Sequence, residues 1–260
     1  MKEKTVRYSR EMNVGIITLN RPERLNAINA ELLNDLITQL NVAREDDKVV
    51  SVILTGAGRS FCAGEDLKET QSGKSMSQWK KEIDALQETQ RVILKLDKPL
   101  IAAIRGYAVG GGLEFALGCD IRIAAQDAKF GFPETSVGLT ITSAGTKLIS
   151  QLVGLGKAKE LVFTGEIIDA QQALQIGLVN QVVSGAELLD AALNMCERIG
   201  RNSPLSLKLS RMALDEGLHS SFEQTLALEA EHLLACVTAG NQESFVAHKL
   251  SELKKKSHSR

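Results

Sequence analysis

Short apolar runs rich in β-branched residues alternate along this chain with longer stretches in which apolar positions recur every three or four residues. The runs at 15–19, 49–55, 100–104, 121–124 and 179–183 have strand length and strand composition. Between them, residues 30–44 place Leu32, Leu33, Leu36, Ile37 and Leu40 on one side of a helical period, and 83–96 repeats the pattern. Strand alternating with helix predicts an α/β core. Turn chemistry agrees, because TGAGR at 55–59 follows one strand and Gly106, Gly110, Gly111 and Gly112 cluster after another.

Glycine thins out after about residue 200, where Pro204 opens a helix predicted to reach 218, followed by helices at 222–238 and 243–254. The expected division is an α/β core over 1–200 and an all-helical segment over 201–260. Leu226, Leu233, Leu234 and Val237 form an apolar stripe there, of the kind that packs on its own core or on a neighbouring subunit. The basic run at 254–260 reads as a solvated, frayed end. No internal repeat or low-complexity linker interrupts the chain.

Composition narrows the function classes. A chain of 260 residues can bury one large core, and its 43% hydrophobic and 24% charged content is that of an ordinary globular protein. The 31 basic and 32 acidic residues give a net charge of −1, which supplies no overall field for nucleic acid or anionic membrane. No apolar run approaches a membrane span, and the opening MKEKTVRYSR lacks a signal-peptide core, so the expected address is cytoplasmic. Cys62, Cys119, Cys196 and Cys236 lack metal or disulfide spacing and read as reduced, packed thiols.

The glycine cluster invites a dinucleotide reading, which fails because Phe115 stands where the third glycine belongs. GLGKA at 154–158 likewise lacks the remainder of a phosphate loop. All four histidines lie at 219 or beyond, so a Ser–His or Cys–His pair would require the terminal helices to reach the core. Carboxylates lead. Glu114 follows the glycine triplet where an apolar helix begins, a place whose unpaired amides suit an anion or developing oxyanion. Its plain alternative is an acid that merely complements the helix dipole.

Four ordered blocks then carry a resemblance: NRPERLNAI at 20–28, SFCAGEDLK at 60–68, GYAVGGGLEFALGCD at 106–120 and FGFPETSVG at 130–138. They resemble successive signatures of the enoyl-CoA hydratase/isomerase (crotonase) family, and LVFTGEIIDA at 161–170 with GLVN at 177–180 extends the likeness over nearly the whole chain. The resemblance implies a crotonase-like (ClpP/crotonase) α/β fold, a spiral of repeated ββα units with a C-terminal helical segment. It also implies an enoyl-CoA hydratase, with a double-bond isomerase or a non-catalytic CoA-thioester or RNA-binding member of the fold as alternatives.

By the same resemblance the backbone N–H groups of Glu65 and Gly111 form an oxyanion hole, and Glu114 and Glu134 are the acid/base pair, with Glu134 the proton donor. The Glu65 side chain is expected to point away, since facing the oxyanion it would oppose the developing charge. Coenzyme A is implied near Arg24, Leu25, Ala27, Ala63, Asp66, Leu67 and Gly110, as part of the substrate, with no separate cofactor and no metal. Arg24 as a surface arginine and Asp66 as a loop brace are the plain alternatives. The family's trimers and paired trimers are the implied assembly, with no nucleic-acid or membrane partner. LTITSAGT at 139–146 departs from the proline- and glycine-bearing family pattern at a loop bordering the acyl pocket. Trp79 and the 72–77 stretch stand where the family has a mobile acyl cover, or form a plain surface loop.

Overall fold

Among the described residues nine strands build two sheets: β1 (Val6–Glu11), β2 (Val14–Leu19), β3 (Ser51–Gly56), β4 (Leu100–Ile104), β5 (Tyr107–Val109), β6 (Ile121–Ala125), β7 (Lys129–Gly131), β8 (Ile168–Asp169) and β9 (Gln181–Val183). The structure, a computed structural model, describes residues 4–66, 73–240 and 242–258. The larger sheet runs β1-β2-β3-β4-β6-β9 and is parallel except for the β1/β2 hairpin, while the smaller runs β5-β7-β8. Every residue of β4 is buried, as expected for a central parallel strand covered on both faces, whereas most positions of edge strand β1 are not.

Helices α1 (Ala30–Glu45), α2 (Met76–Leu94), α3 (Gly111–Leu117), α4 (Gly145–Val153), α5 (Leu155–Thr164), α6 (Ala170–Gln175) and α7 (Leu188–Gly200) connect these strands or cover them. The Asn29 side chain accepts the Leu32 amide at 2.9 Å and so fixes the start of α1. That helix buries Leu32, Leu33, Leu36, Leu40 and Ala43, with Gln39 taking a buried position while Ile37 is only half-buried. A Ser75–Gln78 capping box starts α2 seven residues before the predicted 83, because a capping box stabilises a first turn that has little apolar periodicity.

The chain divides into two compact units, Met1–Cys196 and Glu197–Arg260. The second contains α8 (Pro204–Gly217), α9 (Phe222–Thr238) and α10 (Gln242–His258), the last running four residues past the predicted 254. Among the described residues no helix is long and apolar enough to cross a membrane.

The first unit has a repeating ββα order. Strand β4 enters the larger sheet, β5 the smaller one, and α3 follows; β6 and β7 repeat this, followed by a 3-10 turn at Pro133–Val137. The stretch after β3 joins the pattern through a parallel bridge of Cys62 to Ala108, with α2 beyond it. Periodicity missed these second strands because they are three residues or fewer, too short to show alternation. Phe61, Phe115, Phe130 and Phe132, all fully buried, fill the space among the turns; each such ring contributes about 2–3 kcal/mol of hydrophobic stabilisation.

Candidate active site

Three chain segments leave the smaller sheet side by side. Cys62 bridges Ala108, and Ala108 pairs with Phe130. Glu65 and Gly111 each stand three residues beyond their bridged neighbours, and Glu134 stands four beyond Phe130. Parallel neighbours carry equal residue counts to the same level, which is why positions distant in sequence converge here.

The first two segments meet with no side chain between them. A Cβ on Gly112 would stand 2.4 Å from the Cys62 carbonyl oxygen, a contact only glycine allows. Ile28 donates to the Gly64 carbonyl at 2.8 Å and Asp66 to the Ile28 carbonyl at 3.2 Å. Strand alternation then turns the intervening Glu65 N–H to the opposite side, toward the glycine triplet.

Glu114 sits in the first turn of α3 and is 1% exposed. Its Oε1 accepts the Ser143 N–H at 2.6 Å and the Gly145 N–H at 3.0 Å, and its backbone carbonyl accepts the Gln90 side-chain amide at 3.1 Å. Burial pushes its carboxyl up to about 7, with Glu65 and Glu134 adding to the rise and the two amides opposing it. Glu134 stands in the 3-10 turn and is 8% exposed. Its Oε2 is buried without a hydrogen-bond partner among the described residues, and burial likewise pushes this carboxyl up to about 7, opposed by its own backbone N–H and with Glu65 adding to the rise.

The Glu65 side chain corrects the expectation that it points away. Its Oε1 lies 2.8 Å from where a Cβ on Gly111 would stand, and its Oε2 lies 3.5 Å from the corresponding point on Gly110, which is itself 3.1 Å from Glu134 Oε1. The N–H groups of Glu65 itself and of Gly111 donate to this carboxylate and hold it toward its charged form, against a larger rise from burial. Two converging amides attract the strongest acceptor within reach, and a carboxylate on the same residue supplies it. The Glu65 and Glu134 carboxyls therefore flank the Gly110–Gly111 peptide, and the Glu114 carboxyl lies within electrostatic reach of both.

The residues implied for coenzyme A border this place unevenly. Ala63 donates to the Leu25 carbonyl at 3.0 Å, so the 24–28 loop runs beside the 63–66 segment. Ala27 is buried, Leu25 is half-buried in the left-handed region, and Arg24 is exposed. Asp66 pairs with Arg21 at 3.7 Å, and Arg21 in turn donates to the Ala27 carbonyl, the loop-bracing arrangement. Leu67 lies outside the described residues, as does Ser72. Ser75 caps α2 and Trp79 lies on it, with the Lys74 ammonium 4.9 Å from the indole centroid.

Sequence reasoning missed the residues that hold the site from behind. Ser143 and Gly145 act through backbone amides, which leave no mark in residue type, and only the unusual 139–146 segment drew attention to them. Asn26 is fully buried, donating to the Ser60 and Ala57 carbonyls at 2.7 and 3.0 Å and accepting the Arg21 amide at 2.8 Å. A polar residue inside a loop motif was its one legible signal. Cys62 is no nucleophile: burial pushes its thiol up to about 12, and its Sγ donates to the Asn26 carbonyl at 3.1 Å.

Comparison with known proteins bears on the family. The enoyl-CoA hydratase/isomerase family model matches residues 9–251. The short-chain-enoyl-CoA hydratase of Clostridium acetobutylicum is 40% identical over 243 residues, 93% of each chain. The crotonyl-CoA hydratase of Syntrophomonas wolfei is 36% identical over 244 residues, again 93% of each. The crystal structure of an enoyl-CoA hydratase from Bacillus anthracis aligns with a TM-score of 0.85 at 34% identity, covering 98% of this chain and 97% of that one. With a matching family model along most of its length and the crotonase-like fold of these relatives, the chain belongs to the enoyl-CoA hydratase/isomerase family.

Proposed function

We propose that the protein adds water across the 2,3 double bond of 2-enoyl-CoA thioesters, giving 3-hydroxyacyl-CoA. The observation that supports this reading is the convergence of two buried carboxyls, Glu134 beside the Gly110–Gly111 peptide and Glu114 within electrostatic reach of it and of Glu65. Two amide donors on the Glu114 carboxylate favour its ionised form, whereas Glu134 has only its own N–H as donor and a buried oxygen without a partner among the described residues, a balance closer to a protonated carboxyl.

In the proposed reaction the thioester carbonyl accepts the N–H groups of Glu65 and Gly111. Glu114 removes a proton from water as its oxygen bonds to C3, and the C2–C3 π electrons move onto the thioester oxygen. The two donors stabilise that oxyanion, each by about 3 kcal/mol. The enolate then collapses by taking the Glu134 proton at C2, and solvent returns a proton from Glu114 to Glu134. Arg24, Leu25, Ala27, Ala63, Asp66, Leu67 and Gly110 hold the coenzyme A portion. No separate cofactor takes part.

Loss of enone absorbance on mixing the protein with crotonyl-CoA, with 3-hydroxybutyryl-CoA as product, tests the reading. Deuterium incorporated at C4 with no hydrated product would instead select double-bond isomerisation.

The same reading includes a homotrimer or pair of trimers. The helical unit supports it with Phe222 77% exposed, Leu214 74% and Leu233 66%, more apolar surface than an isolated subunit tolerates well. Light scattering that returned the monomer mass would remove this part. A cytoplasmic address suits the buried free thiols of Cys62, Cys119 and Cys196, and cell fractionation tests it.

A further inference from the structure

The amide pair that would receive the thioester already has a ligand within the chain, the Glu65 carboxylate. The backbone of Glu65 is pinned by its bridge to Ile28, so the amide stays in place whichever way its side chain turns. Its two oxygens flank the Gly110–Gly111 peptide, which holds no Cβ to exclude them. A thioester carbonyl and this carboxylate are acceptors for the same donors, and the two cannot use them together.

We propose that the Glu65 side chain is the resident occupant of the oxyanion pocket, and that an acyl-CoA thioester binds only by displacing it. Glu65 is thereby the residue that sets thioester affinity in this protein. The proposal rests on the functional reading above, which assigns that pocket to a thioester.

Competition of this kind makes a distinctive demand. A protein whose competent form is only partly populated binds more weakly by that fraction, so deleting the competitor tightens binding. Coenzyme A itself has no thioester carbonyl, so displacement is not required of it and its affinity should be indifferent to Glu65. The side chain also places a further carboxylate next to Glu114 and Glu134, and its departure on binding removes that charge from the reacting centre.

The test is calorimetric titration of wild type, Glu65→Ala and Glu65→Gln with butyryl-CoA, a thioester that cannot be hydrated, and separately with coenzyme A. The expected result is butyryl-CoA bound about tenfold more tightly by Glu65→Ala, the loss of one competing charged acceptor. Glu65→Gln, a neutral and weaker acceptor of nearly the same shape, falls between, with coenzyme A affinity equal in all three. Equal butyryl-CoA affinity in the three proteins would overturn the proposal and leave the hydratase reading standing. So would a parallel change for both ligands, which marks altered packing. Wild type that binds neither ligand would remove both.

Discussion

Glu114 and Glu134 lie within electrostatic reach of one another with unequal hydrogen bonding: two amides from another segment donate to the first carboxylate, while the second has its own N–H and one buried oxygen with no partner among the described residues. Both carboxyls are pushed up to about 7. Near neutrality the pair therefore holds about one proton, which the proposed mechanism assigns to Glu134. The proposed hydration needs Glu114 ionised, a form lost as pH falls, and Glu134 protonated, a form lost as pH rises. The expected profile of kcat/KM for crotonyl-CoA is a bell centred near 7, its two limbs belonging to the pair. A flat profile across that range, measured from initial rates, would contradict these assignments.

Glu134→Gln keeps the shape of the side chain and removes its proton. Loss of general acid catalysis lowers the rate by about 100- to 10,000-fold. The fall should appear in kcat, with butyryl-CoA affinity largely retained, because no binding donor is lost. A variant with wild-type kcat would exclude Glu134 as the proton source.

The same residue sets a stability gradient. Its carboxyl sits at about 7 in the folded protein against 4.5 ordinarily, so the folded state binds a proton the unfolded chain has released. That contribution is fully present below the unfolded value and lost as pH rises through the folded one, by up to about 3 kcal/mol. Glutamine cannot lose it. Thermal melts at about pH 5 and about pH 8 should show Glu134→Gln gaining several degrees on wild type at the higher pH. An unchanged difference would mean that Glu134 ionises without penalty.

Strands such as β4 and helices such as α1 and α9 were legible because their apolar periods are long enough to see, and α3 because glycine and an acid mark its start. The Glu114–Glu134 pair was legible through resemblance, since nothing local links positions 114 and 134. What remained hidden depends on three-dimensional convergence. The register Cys62–Ala108–Phe130 spans strands too short to announce themselves, and Ser143 and Gly145 contribute only main-chain amides. The inward turn of Glu65 was argued the wrong way, because the reasoning weighed its charge against a bound oxyanion and overlooked the two amides that attract it in the free protein.

Gly145 offers a way to separate the support of Glu114 from the identity of Glu114. A Cβ at this position would stand 2.8 Å from Glu114 Oε1, 2.9 Å from Glu114 Cγ and 2.8 Å from Ile141 Cγ2. All three neighbours are side-chain atoms, so the chain backbone need not move, and the cost in stability should stay near the 1–3 kcal/mol of ordinary overpacking. The carboxylate itself must shift, however, and it loses alignment with the Ser143 and Gly145 amides that favour its ionised form. The expected result for Gly145→Ala is a folded protein whose kcat falls by about tenfold or more, because displacements of this size misplace a base. The acid limb of its pH profile should also move upward, since fewer donors oppose the rise caused by burial. A fall in kcat with that limb unmoved would show that Gly145 serves packing alone, and that the two amides do not tune Glu114.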